Sequence, residues 1–147
     1  MNLEDRAAVI AVVDRIDNAI DRKDWGACPA LLDTEVDIDF TSLMGGSPVR
    51  VPSDGLIDVW RAVMHAKKCS LHRRSDHHVV ITGDIAAVVS KGYVYNRLEE
   101  SLGGGLWESW GSYTHQLRRA DTGWVCTAMT FTVWTTRGDD AVRTHTL

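Results

Sequence analysis

The spacing of apolar residues changes for good at about Ala66, and this change constrains the fold more than any other feature. Before Ala66, most apolar residues recur every three or four positions, which is the spacing of amphipathic helices. After it, long strand-like segments are separated by turn sequences such as Gly83-Asp84 and Asp121-Thr122-Gly123. Helices first and antiparallel strands last predict an α+β fold with helices packed on one face of a mostly antiparallel sheet.

The predicted elements are three helices, one short strand, one loop and four long strands. The helices span about Leu3 to Arg22, Trp25 to Leu32 and Asp54 to Ala66. The strands span about Glu35 to Thr41, Ser70 to Ile81, Ile85 to Leu98, Leu106 to Arg119 and Trp124 to Arg137, with a loop from Ser42 to Gly55. Strands this long in a small domain must curl, and Gly92 and Gly111 are candidate bending points. A bent sheet closed by helices forms a cone, and its interior is the expected ligand pocket.

Composition limits the classes of partner. A chain of 147 residues with 44% hydrophobic and 24% charged residues fits one globular domain, residues 1–147. The net charge of −4 argues against nucleic acid as a partner, because phosphate binding needs a cationic face. The basic cluster Lys67, Lys68, Arg73 and Arg74 is interpreted as a solvated surface patch.

The cysteines and the first residues bear on the compartment. Cys28, Cys69 and Cys126 are odd in number and widely spaced, which predicts reduced thiols rather than disulfides or a zinc knuckle. The N-terminal segment is acidic where a signal peptide is basic, and no apolar run is long enough to cross a bilayer. We therefore expect a cytoplasmic protein with no membrane partner.

Four motifs in order resemble the NTF2-like superfamily, and within it the SnoaL-like branch. They are AIDRKDW from Ala19, DIDFTSLMGG from Asp37, the segment from His72 through Gly83-Asp84, and WGSYTHQLRRADTGW from Trp110. The resemblance implies a cone with three N-terminal helices on a strongly curved sheet. The superfamily includes polyketide cyclases, dehydratases, isomerases and a dehydrochlorinase, together with members that only bind or transport, so the fold alone does not choose a function.

His72 is the first candidate for chemistry. In dehydratase and dehydrochlorinase members of the superfamily, a histidine at the start of this strand pairs with an aspartate near the end of helix 1, and these positions resemble His72 and Asp21. An imidazole can take a proton from carbon, and a carboxylate fixes its tautomer and stabilises the imidazolium. The alternative is a histidine satisfied in the core or at the rim.

The partner of His72 is open at this stage. At roughly 100° per residue, Asp21 lies more than about 90° from the centre of the apolar stripe of helix 1, whereas Asp17 lies nearer its edge. A strictly amphipathic helix therefore places Asp21 in solvent, and Asp17 is the substitute. Ile16 stands where bile acid dehydratases have a tyrosine, so a tyrosine-assisted step at that position is not expected, and Tyr113 or Tyr95 on the sheet is the alternative.

Five further residues are candidate substrate contacts. Asp39 resembles the strand carboxylate of ketosteroid isomerase, with a surface position as the equal alternative. Tyr113 and His115 share one strand face, and Trp60 and Trp107 are candidates for an aromatic wall, although aromatic residues in a small core are usually packing.

Metal and cofactor sites are not predicted. Neighbouring strand residues such as His77 and His78 point to opposite faces, and His72 and Asp76 are about 13 Å apart along an extended strand at roughly 3.3 Å per residue. No phosphate-binding loop or nucleophile motif occurs.

The function predicted from these patterns is a cofactor-independent lyase or isomerase that uses His72 and Asp21 on a small apolar cyclic molecule. One alternative is a non-catalytic binding protein with the same pocket, and another is an oligomerising accessory subunit. A homodimer is expected in each case.

Overall fold

A computed structural model describes all 147 residues and contains one six-stranded sheet in the order β2-β1-β6-β5-β4-β3. The strands are β1 (Leu32–Asp39), β2 (Val49–Pro52), β3 (Lys68–Thr82), β4 (Ile85–Leu98), β5 (Leu106–Ala120) and β6 (Gly123–Gly138). The helices are α1 (Leu3–Arg22), α2 (Thr41–Met44), α3 (Ser53–Val63) and α4 (Asp140–Thr144). Neighbouring strands are antiparallel except β1 and β6, which are parallel. The α+β class and the mostly antiparallel sheet agree with the sequence prediction.

The apolar stripe of α1 covers one face of the sheet. Val9, Val13 and Ile16 are at most 2% exposed and belong to a cluster of 19 buried residues that also includes Val88 and Leu117 on the sheet. Burying one such side chain contributes roughly 1.5–3 kcal/mol. This packing fixes α1 against the sheet, and β3 lies beside it at the sheet edge.

The predicted set of three N-terminal helices is not what the structure contains. The second predicted helix consists of two 3₁₀ turns, Trp25–Ala27 and Pro29–Leu31. Its sequence is short, and Pro29 removes an amide donor in its middle, so a continuous α-helix is not supported. The first and third predicted helices are present as α1 and α3.

The predicted loop from Ser42 to Gly55 contains most of α2, the whole of β2 and the start of α3. β2 pairs with β1 from Val49 opposite Ile38 to Pro52 opposite Glu35. It is an edge strand, where a proline without an amide donor is tolerated. Proline and glycine in this segment therefore mark an edge strand and its turns.

Register shifts shape the long strands. The register between β3 and β4 shifts between Ser75 and His78, where Asp76 has a positive φ of 54°. The register between β5 and β6 shifts at Trp110 and Gly111. Such bulges increase twist and bend the strand, so the sheet curls around the space beneath the helices.

No helix combines the length and the apolar character needed to cross a lipid bilayer.

Candidate active site

A cavity of about 510 Å³ lies between the curved sheet and the helices. Of the 28 residues that line it, 17 are hydrophobic, so most of its wall suits an apolar ligand. The polar residues on the wall are few and come mainly from α1 and the inner faces of β3, β4 and β5. Those that bear on the chemistry are Asp17, His72, Arg74, Asn96, Ser109 and His115.

Three aspartates along α1 each lie beside a basic side chain of β3. Asp21 contacts His72, and Asp17 contacts Arg74, at the next turn of the helix. In the third pair, Oδ1 of Asp14 lies 3.8 Å from Nε2 of His77. Residues three and four apart share one edge of a helix, and this edge of α1 faces β3.

Asp21 holds His72 through both of its carboxylate oxygens. Oδ1 lies 2.6 Å from Nδ1 of the imidazole, and Oδ2 accepts a hydrogen bond from the backbone amide of His72 at 2.7 Å. The hydroxyl of Ser70 also donates to Oδ1, at 2.9 Å. An ionised carboxylate can only accept, so Nδ1 carries the proton and Nε2 is left without a hydrogen bond to the protein, in a residue that lines the cavity.

The geometry decides between the two aspartates considered from the sequence. Asp21 is the partner of His72, and its side chain is 15% exposed. The expectation that an amphipathic helix would leave Asp21 in solvent is wrong, because the last turn of α1 runs alongside the edge strand β3. Asp17 is 5% exposed and bonds to Arg74 instead.

The guanidinium of Arg74 contacts both the carboxylate of Asp17 and the ring of Tyr113 in the cavity wall. Its Nη2 donates to Asp17 Oδ1 at 3.0 Å, and its Cζ lies 3.5 Å from the centre of the Tyr113 ring. Gly92 makes room for this stack, because a Cβ there would lie 2.8 Å from Arg74 Nη1 and closer still to the Tyr113 ring. Burial raises the pKa of the Asp17 carboxyl, and the charge of Arg74 opposes that rise.

Tyr113 and His115 both line the cavity and are both buried. Burial raises the pKa of Tyr113 to about 12, so its hydroxyl remains protonated at neutral pH. Burial and the nearby Arg74 charge lower the pKa of His115 to about 3, so its imidazole is neutral. Tyr113 is thus a potential donor, whereas His115 is an uncharged wall residue.

Of the remaining candidates, the two tryptophans line the cavity and Asp39 does not. Trp60 and Trp107 are both on the wall. Asp39 accepts from the Thr41 hydroxyl at 2.7 Å and from its backbone amide at 3.1 Å, and these bonds lower the pKa of Asp39. A strand base with a raised pKa is therefore not found at Asp39, because side-chain alternation turns it away from its cavity-lining neighbours Ile38 and Phe40.

Several cavity residues were not selected from the sequence. Arg74 was interpreted as part of a surface patch, and Asn96, Ser109 and Arg143 carried no motif. The alternation of strand residues could have identified two of them. Asn96 shares a face of β4 with Val94, and Ser109 shares a face of β5 with Gly111 and Tyr113. Arg143 lies on α4, a short helix with no periodic pattern of its own.

The comparisons with known proteins identify the family. A family model described as a SnoaL-like domain matches residues 1–130, which is most of the chain. The chain belongs to the SnoaL-like family. The SnoaL-like family is a branch of the NTF2-like superfamily, so the resemblance stated from the four sequence motifs is confirmed.

Solved structures share the fold of this SnoaL-like chain. The protein Kfla4162 of Kribbella flavida is 24% identical with a TM-score of 0.86, and the match covers 91% of this chain and 93% of that one. A candidate scytalone dehydratase of Novosphingobium aromaticivorans is 13% identical with a TM-score of 0.80, covering 94% and 89%. The type 3 hexachlorocyclohexane dehydrochlorinase of Novosphingobium barchaimii is 14% identical with a TM-score of 0.76, covering 96% and 94%. No curated protein sequence matches the chain.

At these identities the likeness establishes the fold alone. The fold is shared, and the chemistry must be argued from the side chains of this chain. No group of three histidine, cysteine, aspartate or glutamate side chains is arranged so that it could hold a metal ion.

Proposed function

We propose that this SnoaL-like protein is a cofactor-independent lyase or isomerase of the dehydratase type. Its substrate would be a small, largely apolar cyclic molecule with an acidic carbon-bound hydrogen. The observation that carries the proposal is the pairing of His72 Nδ1 with Asp21 Oδ1 at 2.6 Å on the wall of a largely apolar cavity. The solved relatives described as a dehydratase and a dehydrochlorinase are consistent with this reaction class.

In the proposed mechanism, Nε2 of His72 removes a proton from the carbon next to a ring carbonyl. The electron pair of that carbon–hydrogen bond moves toward the carbonyl oxygen, which becomes an enolate. Asp21 stabilises the imidazolium that forms. In this mechanism Ser109 donates a hydrogen bond to the enolate oxygen, because Ser109 lines the cavity and its hydroxyl has no hydrogen-bond partner on the protein.

The second half of the proposed reaction expels a hydroxide from the next carbon. As the enolate electron pair returns, the carbon–carbon double bond forms and the carbon–oxygen bond breaks. The imidazolium gives its proton to the departing oxygen, so water leaves and His72 is neutral again. In an isomerase variant, the same proton would return to a different carbon. Neither sequence needs an external oxidant or reductant.

The proposal can be tested with 3-hydroxy-1-tetralone, whose dehydration gives 1-naphthol, and with its ring-carboxylated analogues. Formation of the naphthol is followed by absorbance with wild-type protein and with His72→Gln. A positioned base contributes about 10²- to 10⁴-fold, and we expect a loss of that order in the variant. The matched control is His78→Gln, which alters an exposed histidine of the same strand.

The outcomes separate the proposed functions. Equal turnover by wild-type protein and His72→Gln would exclude His72 as the base. Binding of the probes without turnover by wild-type protein would support a non-catalytic binding protein with the same cavity.

A further inference from the structure

One end of the cavity carries an amide with no hydrogen-bond partner. Asn96 is 0% exposed, and neither its Oδ1 nor its Nδ2 is bonded to any protein group. Leaving a buried polar group unpaired costs about 1–3 kcal/mol, so such groups are rare in folded proteins without a functional reason. Because Asn96 lines the cavity, its missing partner can come from a bound ligand.

A second group without a hydrogen bond to the protein lies at the same end. Arg143 of α4 also lines the cavity, and its side chain is 20% exposed. Its nearest carboxylate is Asp140, 3.8 Å from Nε, which is beyond hydrogen-bond distance. Asp140 is itself 74% exposed and accepts a bond from the Trp107 indole at 3.1 Å. On the protein, the Arg143 guanidinium therefore has only this long ion pair and no hydrogen bond.

Trp107 connects the two groups. Its Cα is directly opposite that of Asn96 in the pairing of β4 with β5. Its ring centre lies 5.7 Å from Cζ of Arg143. An amide without a hydrogen-bond partner and a guanidinium held only by a long ion pair thus flank one aromatic wall residue.

Hydrogen bonds to the rest of the protein fix the position of Arg143 near the end of the chain. The ammonium of Lys68, which is 1% exposed, donates to the backbone carbonyls of Arg143 at 3.1 Å and His145 at 3.0 Å. The rings of His65 and His145 are also in hydrogen-bond contact, at 2.9 Å. These contacts hold α4 over the end of the cavity.

We propose that the ligand of this cavity is an organic acid whose carboxylate binds between Arg143 and Asn96. The guanidinium supplies charge and paired N–H donors suited to a carboxylate, and the Asn96 amide donates to the same group. The ring of the ligand occupies the apolar part of the cavity. The inference rests on the proposed function, because it takes the cavity as the substrate site. It concerns which molecule binds there and not how that molecule reacts.

The distance to His72 fits a ligand of about one or two rings. Asn96 pairs with Ser70, two residues before His72 on the same face of β3, so the subsite lies one strand away and slightly along it from the base. Strands are about 4.8 Å apart and residues on one face repeat at about 6.6 Å. A bicyclic acid therefore spans the distance between the carboxylate subsite and Nε2 of His72.

The test compares two probes of the same shape, the anionic 2-naphthoate and the neutral 2-naphthamide, by isothermal titration calorimetry. We expect wild-type protein to bind the acid at least about tenfold more tightly than the amide, which corresponds to about 1.4 kcal/mol. Arg143→Gln should reduce binding of the acid to the level of the amide and leave binding of the amide unchanged. The matched control is Arg73→Gln, an exposed arginine on the other face of β3, which should keep the preference.

Three results would overturn the proposal: equal affinity of the two probes for wild-type protein, a preference that survives Arg143→Gln, or no binding of either probe at its solubility limit. His72→Gln separates this inference from the proposed function. That variant should keep the preference for the acid even where turnover is lost. Turnover that depends on His72, together with equal affinities for the two probes, would contradict the carboxylate subsite alone.

Discussion

The basic residues at the start of β3 show how one position in a strand decides the role of a side chain. Lys68 is 1% exposed and the side chain of Arg74 is 4% exposed, whereas Lys67 and Arg73 are exposed. The surface patch expected from the sequence is thus divided between two faces by the alternation of β3. Charge composition alone does not reveal this division, because the buried members are compensated by distant residues such as Asp17.

His115 predicts how stability depends on pH. Its folded-state pKa of about 3 lies below the 6.5 expected for the unfolded chain, so between these values the unfolded state binds more protons. The stabilising effect of the neutral imidazole is complete above about pH 6.5 and is lost as the pH falls toward 3. Urea unfolding at several pH values should show a shallower acid-side loss in His115→Phe than in wild-type protein.

The control for His115 is His78→Gln, which changes an exposed histidine and should retain the wild-type pH slope. An identical slope in His115→Phe and wild-type protein would contradict the buried neutral state of His115.

The pairing of α1 with β3 explains why the sequence led to the right aspartate only through a family resemblance. The resemblance pointed to Asp21, whereas the helical wheel favoured Asp17. A helical wheel separates a buried face from a solvent face. Asp14, Asp17 and Asp21 lie on neither, because they are on the edge of α1 that faces the edge strand β3. The aspartate spacing is visible in the sequence, but the strand it faces is not.

Gly92 offers a test of the packing within β4. A Cβ at this position would intrude on Tyr113 and Arg74, and over-packing a well-filled core typically costs about 1–3 kcal/mol. We expect Gly92→Ala to lower the free energy of unfolding in urea by about that amount.

The matched control is Gly55→Ala in α3, where a Cβ would meet no atom within 4 Å. Alanine is favoured over glycine in a helix by roughly 0.5–1 kcal/mol, so this variant should be slightly more stable than wild-type protein. Equal stability of Gly92→Ala and Gly55→Ala would show that the Arg74 and Tyr113 stack yields without cost.

For the whole molecule, the apolar spacing and the turn sequences were enough to predict the α+β class and the ends of α1 and β4. The parallel contact of β1 with β6 could not be read from it, because it joins residues nearly a hundred positions apart, such as Leu32 and Cys126. The cavity was expected from the curled sheet. Its closure by α4 was not, since α4 has no periodic pattern of its own and is held in place by contacts such as that of Lys68 with the Arg143 carbonyl.

The outer face of the sheet supports the proposal that the protein is a homodimer. Val80 on β3 and Val89 on β4 are 51% and 38% exposed and lie two residue pairs apart in the strand register. Exposed apolar side chains grouped on one face are typical of interaction surfaces. Sedimentation velocity should give twice the 16.3 kDa mass of one chain, and the double variant Val80→Glu with Val89→Glu should sediment as a monomer. A wild-type monomer at micromolar concentration would contradict the proposal.

The central claim is that His72 and Asp21 act as one catalytic unit, and a double-mutant cycle on kcat/KM tests it most directly. With a probe that wild-type protein turns over, His72→Gln, Asp21→Asn and the double variant are compared. If Asp21 acts only through His72, removing both should cost no more than removing His72 alone, because residues that act as a unit are not additive. Losses that multiply in the double variant would show that the two residues act independently and would contradict the mechanism.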